Sequence, residues 1–241
     1  PSAPIWTNDG DSILYSYTRH GGGFLVQEEG CLALLPAGGG TIRREICSRS
    51  VFSTQAAAFF DLPALSPGGQ LAFYHDGQPA AEGTAAEALL AAPFATPSAY
   101  TVIRSFPFQS DVFYVGLAFP RWVDETRIVG LGIAEEQIPP DCPECQPTLI
   151  RYGHSILIAD VTTPGAMAPL PGTQFATSVA RGETSDLIYF TLGNDSRIYR
   201  RSLGSGETVV VHDFGAPAIA RDVHFAAGKL VAVVGGSVLL H

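Results

Sequence analysis

The chain has 241 residues, 46% of them hydrophobic and only 15% charged, and carries a formal net charge of −9 at neutral pH. That composition excludes a disordered tail, and a compact form of this size would bury roughly 70–75% of its unfolded surface, enough for a core without a structural metal. Its 23 acidic against 14 basic residues create a field that repels polyanions, which argues against nucleic acid and anionic lipid as partners.

Taken in chain order, residues 3–8 read as a short inner strand closed by the turn Asn8-Asp9-Gly10-Asp11, whose residues suit positive φ. Strands follow at 13–18, 31–36 and 41–47, the last two joined through Gly38-Gly39-Gly40. Cys31 and Cys47 lie equidistant from Gly39, so pairing of the flanking segments as a hairpin would set the two sulfurs face to face as a disulfide. The second repeat places strands at 60–66, 71–75 and 100–106, with the turn Pro67-Gly68-Gly69-Gln70 between the first two. Residues 80–92 (AAEGTAAEALLAA) are the one stretch of helix-forming composition, weakened by Gly83 and Thr84 and ended by Pro93; one short helix is expected there.

The third repeat predicts strands at 115–122, 127–133, 155–161 and 166–170, with a turn at Val123-Asp124-Glu125-Thr126 and a long excursion over 134–153. The fourth is the most regular, at 175–180, 187–192, 197–203 and 208–214. The fifth offers 218–225, 229–234 and 238–240 before the chain stops. No apolar run approaches the ~20 residues that span a bilayer as a helix.

The second-strand cores begin at Ile13, Leu71, Ile128, Ile188 and Leu230, in steps of roughly 60 residues that shorten to roughly 40 at the end. A strand-only repeat of this length predicts an all-β chain, a β-propeller of four-stranded antiparallel blades. About five are visible, over residues 1–52, 53–110, 111–172, 173–215 and, incomplete, 216–241 of a single domain. An open ring leaves one sheet face bare. The start at Pro1 without an initiator Met, and the abrupt stop at His241, therefore suggest residues outside this sequence that close a ring of six to eight blades. Membrane association would come through a partner or a removed N-terminal anchor.

Trp6-Thr7-Asn8-Asp9-Gly10 leads into the apolar strand from Ile13 to Tyr17. The fourth repeat carries Leu187-Ile188-Tyr189-Phe190, Arg197-Ile198-Tyr199 and then Gly206-Glu207 before its last strand, and the second keeps Leu65-Ser66-Pro67-Gly68-Gly69. In these segments the chain resembles the Tol-type and WD-like β-propeller repeats of bacterial envelope proteins, with looser matches in the third and fifth repeats. The resemblance implies the fold; such repeats serve binding scaffolds, accessory subunits and enzymes alike.

Cys142-Pro143-Glu144-Cys145 has the spacing of a redox dithiol or half a zinc site. The prolines at 139, 140, 143 and 147 point instead to a stiff extended loop, no second pair of ligands is at hand, and a local disulfide between Cys142 and Cys145 is expected. Two local pairs favour an oxidising compartment, periplasmic or extracellular. Gly153-His154-Ser155-Ile156-Leu157 lacks the final Gly and the following helix of a nucleophile elbow, so Ser155 reads as a strand residue. The six histidines form no i, i+4 pair, and neither glycine triplet opens a helix that could cradle phosphate. Trp122, Phe106, Phe108, Phe113 and Tyr114 read as blade packing or, alternatively, a partner patch.

No catalytic, cofactor or metal set is assigned. The expected function is a non-enzymatic extracytoplasmic module that binds a protein partner through the Cys-bearing loop, with Glu135, Glu136, Asp141, Glu144, Arg151 and Tyr152 as candidate contacts. One alternative is a hydrolase or lyase at the channel mouth, drawing on Asp9, Asp61, Arg121, Arg181, Glu183 and Arg221. Another is a structural subunit of a membrane or filament assembly, joined by strand addition.

Overall fold

Short apolar runs punctuated by Gly, Pro and Asp turns leave the backbone one economical way to satisfy its hydrogen bonds, which is pairing each strand with the next. The computed structural model describes residues 4–7, 10–20, 28–47, 60–79, 85–107, 117–138, 148–165, 167–226 and 228–236. Every regular element among them is a strand. The first sheet comprises β1 (Ile5–Trp6), β2 (Ser12–His20), β3 (Glu28–Pro36) and β4 (Arg44–Cys47). A second comprises β5 (Phe60–Leu65), β6 (Gln70–Pro79), β7 (Ala85–Pro93) and β8 (Thr101–Pro107). The third holds β9 (Leu117–Trp122), β10 (Arg127–Ile138), β11 (Thr148–Asp160) and β12 (Met167–Pro169). In the fourth are β13 (Ala176–Arg181), β14 (Leu187–Leu192), β15 (Arg197–Ser202) and β16 (Thr208–Asp213), and β17 (Ala218–Ala226) pairs with β18 (Lys229–Gly236).

Within each sheet the strands lie in chain order. This is the meander of a propeller blade, and the chain is an all-β propeller protein of about five blades. The inner strands β5, β13 and β17 each carry a register shift, at Asp61/Ala64, Ala176/Ser178 and Arg221/His224. Such bulges bend a strand and re-aim its side chains.

Two compact units divide the chain. One comprises Pro1–Phe113, Phe119–Ile128 and Ala159–Ala166, the other Tyr114–Ala118, Val129–Ile158 and Met167–His241. In the first unit, Leu14 and Leu32 of the first sheet pack with Leu71, Phe73, Ala88 and Leu90 of the second. Each fully buried Leu or Phe contributes about 1.5–3 kcal/mol, so this face is what holds the two sheets together. Trp122 is buried and donates its indole Nε1–H to the Ala64 carbonyl at 3.1 Å. Glu125 accepts from Ser66 Oγ and from the Gly68 amide, both at 2.6 Å, and so clamps the turn between β5 and β6. In the second unit, Ala180, Tyr189 and Ile198 pack on Ala220 and Val223 of β17. The Tyr189 ring stacks on Phe225 at 5.6 Å, and the Val223 amide donates to Ser178 Oγ at 3.0 Å.

The hairpin reading of the first repeat agrees with the structure. Cys31 stands opposite Cys47 in the β3–β4 register, the two are disulfide-bonded, and their Cα atoms are 4.1 Å apart. Two expectations are corrected. Instead of a helix within 80–92, β7 begins at Ala85 and runs to Pro93. It is hydrogen-bonded to β6 on one side and β8 on the other, and Ala88, Leu89, Leu90, Ala91 and Ala92 are all buried. A strand covered on both faces needs apolar residues in an unbroken run, as at 88–92, so the ladder overrides the helix propensity of alanine. The excursion over 134–153 is also shorter than expected. β10 continues to Ile138 and β11 starts at Thr148, because extending the hairpin ladder satisfies backbone groups that a loop would leave to water.

Candidate functional site

Within the second unit, a cleft of about 660 Å³ opens at the end of the fourth sheet where β13 begins. Its walls are Gln174 and Phe175 ahead of β13, Leu192 to Arg197 across the β14–β15 turn, and Ala216 to Ile219 at the entry to β17. Pocket volumes of this order, roughly 300–1,000 Å³, suit a small ligand or a few peptide side chains. The Ala216-Pro217 bond on its wall is cis.

Phe175 is the unusual element of this cleft, sharing a positive φ and an exposed ring with Phe119 of β9. Its φ is +67°, a left-handed conformation that costs a bulky residue roughly 1–3 kcal/mol, and its side chain is 62% exposed. Backbone hydrogen bonds hold it there, with the Gly193 amide donating to its carbonyl at 2.8 Å and the Ala176 amide bonding back to Thr173 at 3.2 Å. A strained backbone that presents a large apolar ring to water does not serve the core.

Beside it, the turn Asp195-Ser196-Arg197 is tied by charge. Arg197 donates Nε–H to Asp195 Oδ1 and an Nη2 hydrogen to Oδ2, both at 2.8 Å, a planar fork on a carboxylate. Tyr199 donates its hydroxyl to Asp195 Oδ2 at 2.5 Å. The Arg197 fork holds the Asp195 carboxyl below the usual carboxylate range. Burial, then the hydrogen bond to Asp195, pushes the Tyr199 phenol up to about 12, while the Asp195 carboxylate raises the Arg197 guanidinium. The Ala220 amide donates to the Asp195 carbonyl at 2.9 Å, fixing the entry to β17 against the turn. Ser196 Oγ and the Gly215 amide both donate to Asp213 Oδ1, at 2.6 and 2.8 Å. The outcome is a rigid polar wall facing an apolar ring, an arrangement suited to recognition. The Asp195 carboxylate is occupied by its own turn.

Of the residues singled out from the sequence, Cys142, Cys145, Asp141 and Glu144 lie outside the described residues, as do Asp9, Phe108, Phe113 and Tyr114. Glu135 and Glu136 fall on β10, and Arg151 and Tyr152 on β11. Asp61 is on β5 and Phe106 on β8. Arg121, on β9, donates to the Pro120 carbonyl, and burial lowers its pKa. Glu183 accepts the Tyr189 hydroxyl, and Arg221 is exposed on β17. Among the described residues no hydrogen bond or ion pair joins Arg181, Glu183 and Arg221. Ser155 is a buried residue of β11. Among the described residues there is no cluster of metal-ligating side chains, and no helix long and apolar enough to cross a membrane. Phe175 and the Asp195–Arg197–Tyr199 cluster escaped the sequence reading. The Pro171-Gly172-Thr173-Gln174 turn before Phe175 was the one available signal, and it marks a bend without revealing which ring is turned outward.

No protein-family model matches the chain, and no curated protein matches it in sequence. Among solved structures, TolB from Acinetobacter baumannii aligns over 98% of this chain and 51% of its own, at 12% identity and a TM-score of 0.47. The β-propeller domain of the Trilobed protease from Pyrococcus furiosus aligns over 98% of this chain and 77% of its own, at 14% identity and a TM-score of 0.45. The RRP9 WD40 repeats align over 96% and 86%, at 13% identity and a TM-score of 0.37. The chain thus spans about half the length of the TolB structure it matches.

Proposed function

We propose that this chain is an extracytoplasmic β-propeller interaction module, one domain of successive blades, that engages a protein partner through the cleft beside Phe175. The observation that carries the reading is Phe175 itself, an aromatic ring held outward by a left-handed backbone over a pre-formed cleft. Exposed aromatic anchors next to rigid polar groups are the usual centres of protein recognition, because they bury a large area at small entropic cost. The segment that fits presents an apolar side chain to Phe175 and backbone carbonyls to Arg197. The Cys31–Cys47 disulfide supports a periplasmic or extracellular setting. In this proposal the Cys142-Cys145 loop, closed by its own disulfide, is a second contact element, together with Glu135, Glu136, Asp141, Glu144, Arg151 and Tyr152.

The test is site-specific photo-crosslinking in the source cell, with a benzophenone side chain at position 175 and, as control, at exposed Glu207. One discrete adduct from 175, absent from 207 and lost when Arg197→Ala is added, is the expected result. Identical adduct patterns from both positions, or none from 175 in folded protein, would refute the cleft as the contact surface.

A further inference from the structure

In the fourth sheet the register aligns Ala180, Tyr189, Arg200 and Val209 in one row, and Thr191, Ile198 and His212 in the next row but one. Residues opposite one another in an antiparallel ladder point to the same face. Ala180, Tyr189 and Ile198 pack on Ala220 and Val223 of β17, so Val209 and His212 of β16 point to that side as well. The Phe214 ring meets His212 edge-on at 4.3 Å and extends this surface. β17 lies nearest β13 and β14, and Leu230 and Ala232 of β18 rest on the same cluster, so two strands roof only the inner part of a four-stranded sheet. Beyond them His212 and Phe214 are exposed and Val209 is half-buried, which leaves a shelf along β16.

Beside that shelf runs the outer edge of β18, whose one strand partner among the described residues is β17. Edge strands are normally blunted against pairing by charge, proline, brevity or a bulge. The outer strands of the four-stranded sheets follow that rule. β4 carries Arg44 and Glu45, β8 has Arg104 and ends at Pro107, and β12 is three residues ending at Pro169. β16 is interrupted by a register shift between Ile198 and Tyr199 of its partner strand. β18 has none of these devices. Its sequence KLVAVVGG is charged only at Lys229, and the extra residue in its pairing with β17 falls between Arg221 and His224, on β17. Val231, Val233 and Val234 are exposed along it.

We infer that the outer edge of β18 accepts an extended segment of a partner protein as an added strand, seated over Val209, His212 and Phe214. A second copy of this chain does not fit there. Antiparallel pairing of two β18 edges about a two-fold axis keeps both fourth sheets on one side of the joint sheet. The outer strands of each, reaching roughly 10 Å beyond β18, would then fill the space the other sheet needs. A single extended segment has no such sheet beneath it. Its main chain supplies the ladder, and every second side chain meets the shelf, where apolar residues are called for. Glu207 ahead of β16 and Asp213 at its end are both exposed, and with the net charge of −9 they favour basic residues at the ends of the segment. The residues of the Phe175 cleft take no part.

The probe is a dye-labelled synthetic peptide of alternating Thr and Val with two Lys at each end, titrated into the chain by fluorescence anisotropy. Control peptides carry Pro at the central Val positions or Glu in place of Lys. The Lys-ended peptide should bind saturably, the Glu-ended one more weakly, and the Pro peptide not at all, since it cannot join a ladder. Phe214→Ala should raise the dissociation constant by about fivefold through lost apolar contact, while Phe175→Ala leaves it unchanged. In parallel, NMR hydrogen exchange on the wild type should show the peptide slowing alternate amides of β18, those that point away from β17. That arm needs no variant, so misfolding of one does not spoil the test. Unchanged β18 exchange at millimolar peptide, or equal binding of the Pro peptide, would overturn the site. So would outward β18 amides already as protected as inward ones without peptide, the sign of an edge covered by the chain itself, or a doubled mass in sedimentation, the sign of a second copy.

Discussion

Cys31 and Cys47 show how much one cross-strand pair can do in a protein built of thin sheets. They close a sequence separation of 16 residues at the open end of the β3–β4 hairpin, beside the buried Leu32 and Ile46. A loop of that size is worth about 3 kcal/mol through the unfolded chain it constrains. Urea unfolding of the double variant Cys31→Ala, Cys47→Ala should therefore show a stability loss of about 3 kcal/mol, and reductant should lower the wild type by a similar amount. Equal midpoints for the oxidised wild type and the variant would show that the hairpin is held by packing alone. Phe175 works in the opposite direction, its left-handed backbone keeping a ring in water at a conformational cost.

At the level of elements, the β14–β15 hairpin is a charge-locked turn with two opposed titrations. The folded Asp195 pKa is depressed by the Arg197 fork, so its contribution to stability is present above the unfolded value of about 3.9 and lost as pH falls through the lower folded one. Tyr199 is raised to about 12, so its contribution is present below the unfolded value of about 10 and lost as pH rises through the folded one. Asp195→Asn should flatten the acid limb of the stability–pH curve below pH ~4, and Tyr199→Phe the alkaline limb above pH ~10, each leaving the other limb nearly in place. Denaturant midpoints across pH provide the measurement. An acid limb in D195N as steep as that of the wild type would assign the acid sensitivity to other turn carboxylates, such as Asp124, whose pKa burial raises and bonds from Thr126 and Arg127 lower overall.

For the whole molecule, stability should be graded from sheet centres to edges. β7 and β14 are flanked by strands on both sides and carry fully buried rows such as Ala88 to Leu90 and Ile188 to Phe190. The outer strand β16 exposes Val210 and Val211, and β18 exposes Val231, Val233 and Val234. Local opening follows the density of buried apolar contacts. Amide hydrogen exchange should accordingly be slowest in β7 and β14 and faster by orders of magnitude in β16 and β18. Uniform protection across these four strands would mean that the edges are covered in solution by further chain or by a partner.

How much of this was legible beforehand differs by residue. The strand identities followed from apolar runs between turn residues, and the Cys31–Cys47 pair followed from the symmetric spacing about Gly39, since both signals are local in the chain. The segment 85–93 was misread because alanine favours helix locally, and only its pairing with β6 and β8 makes it a strand of the ladder. The hairpin ladder that lengthens β10 and β11 is likewise a property of two strands together. Phe175 lies deeper still, set by a backbone torsion that no residue type announces. Composition and period by themselves determined an all-β repeat with blade-like sheets, because burial of alternating apolar residues leaves few other solutions. Which side chains are turned outward was decided only by the tertiary structure, because that property depends on neighbours distant in the chain.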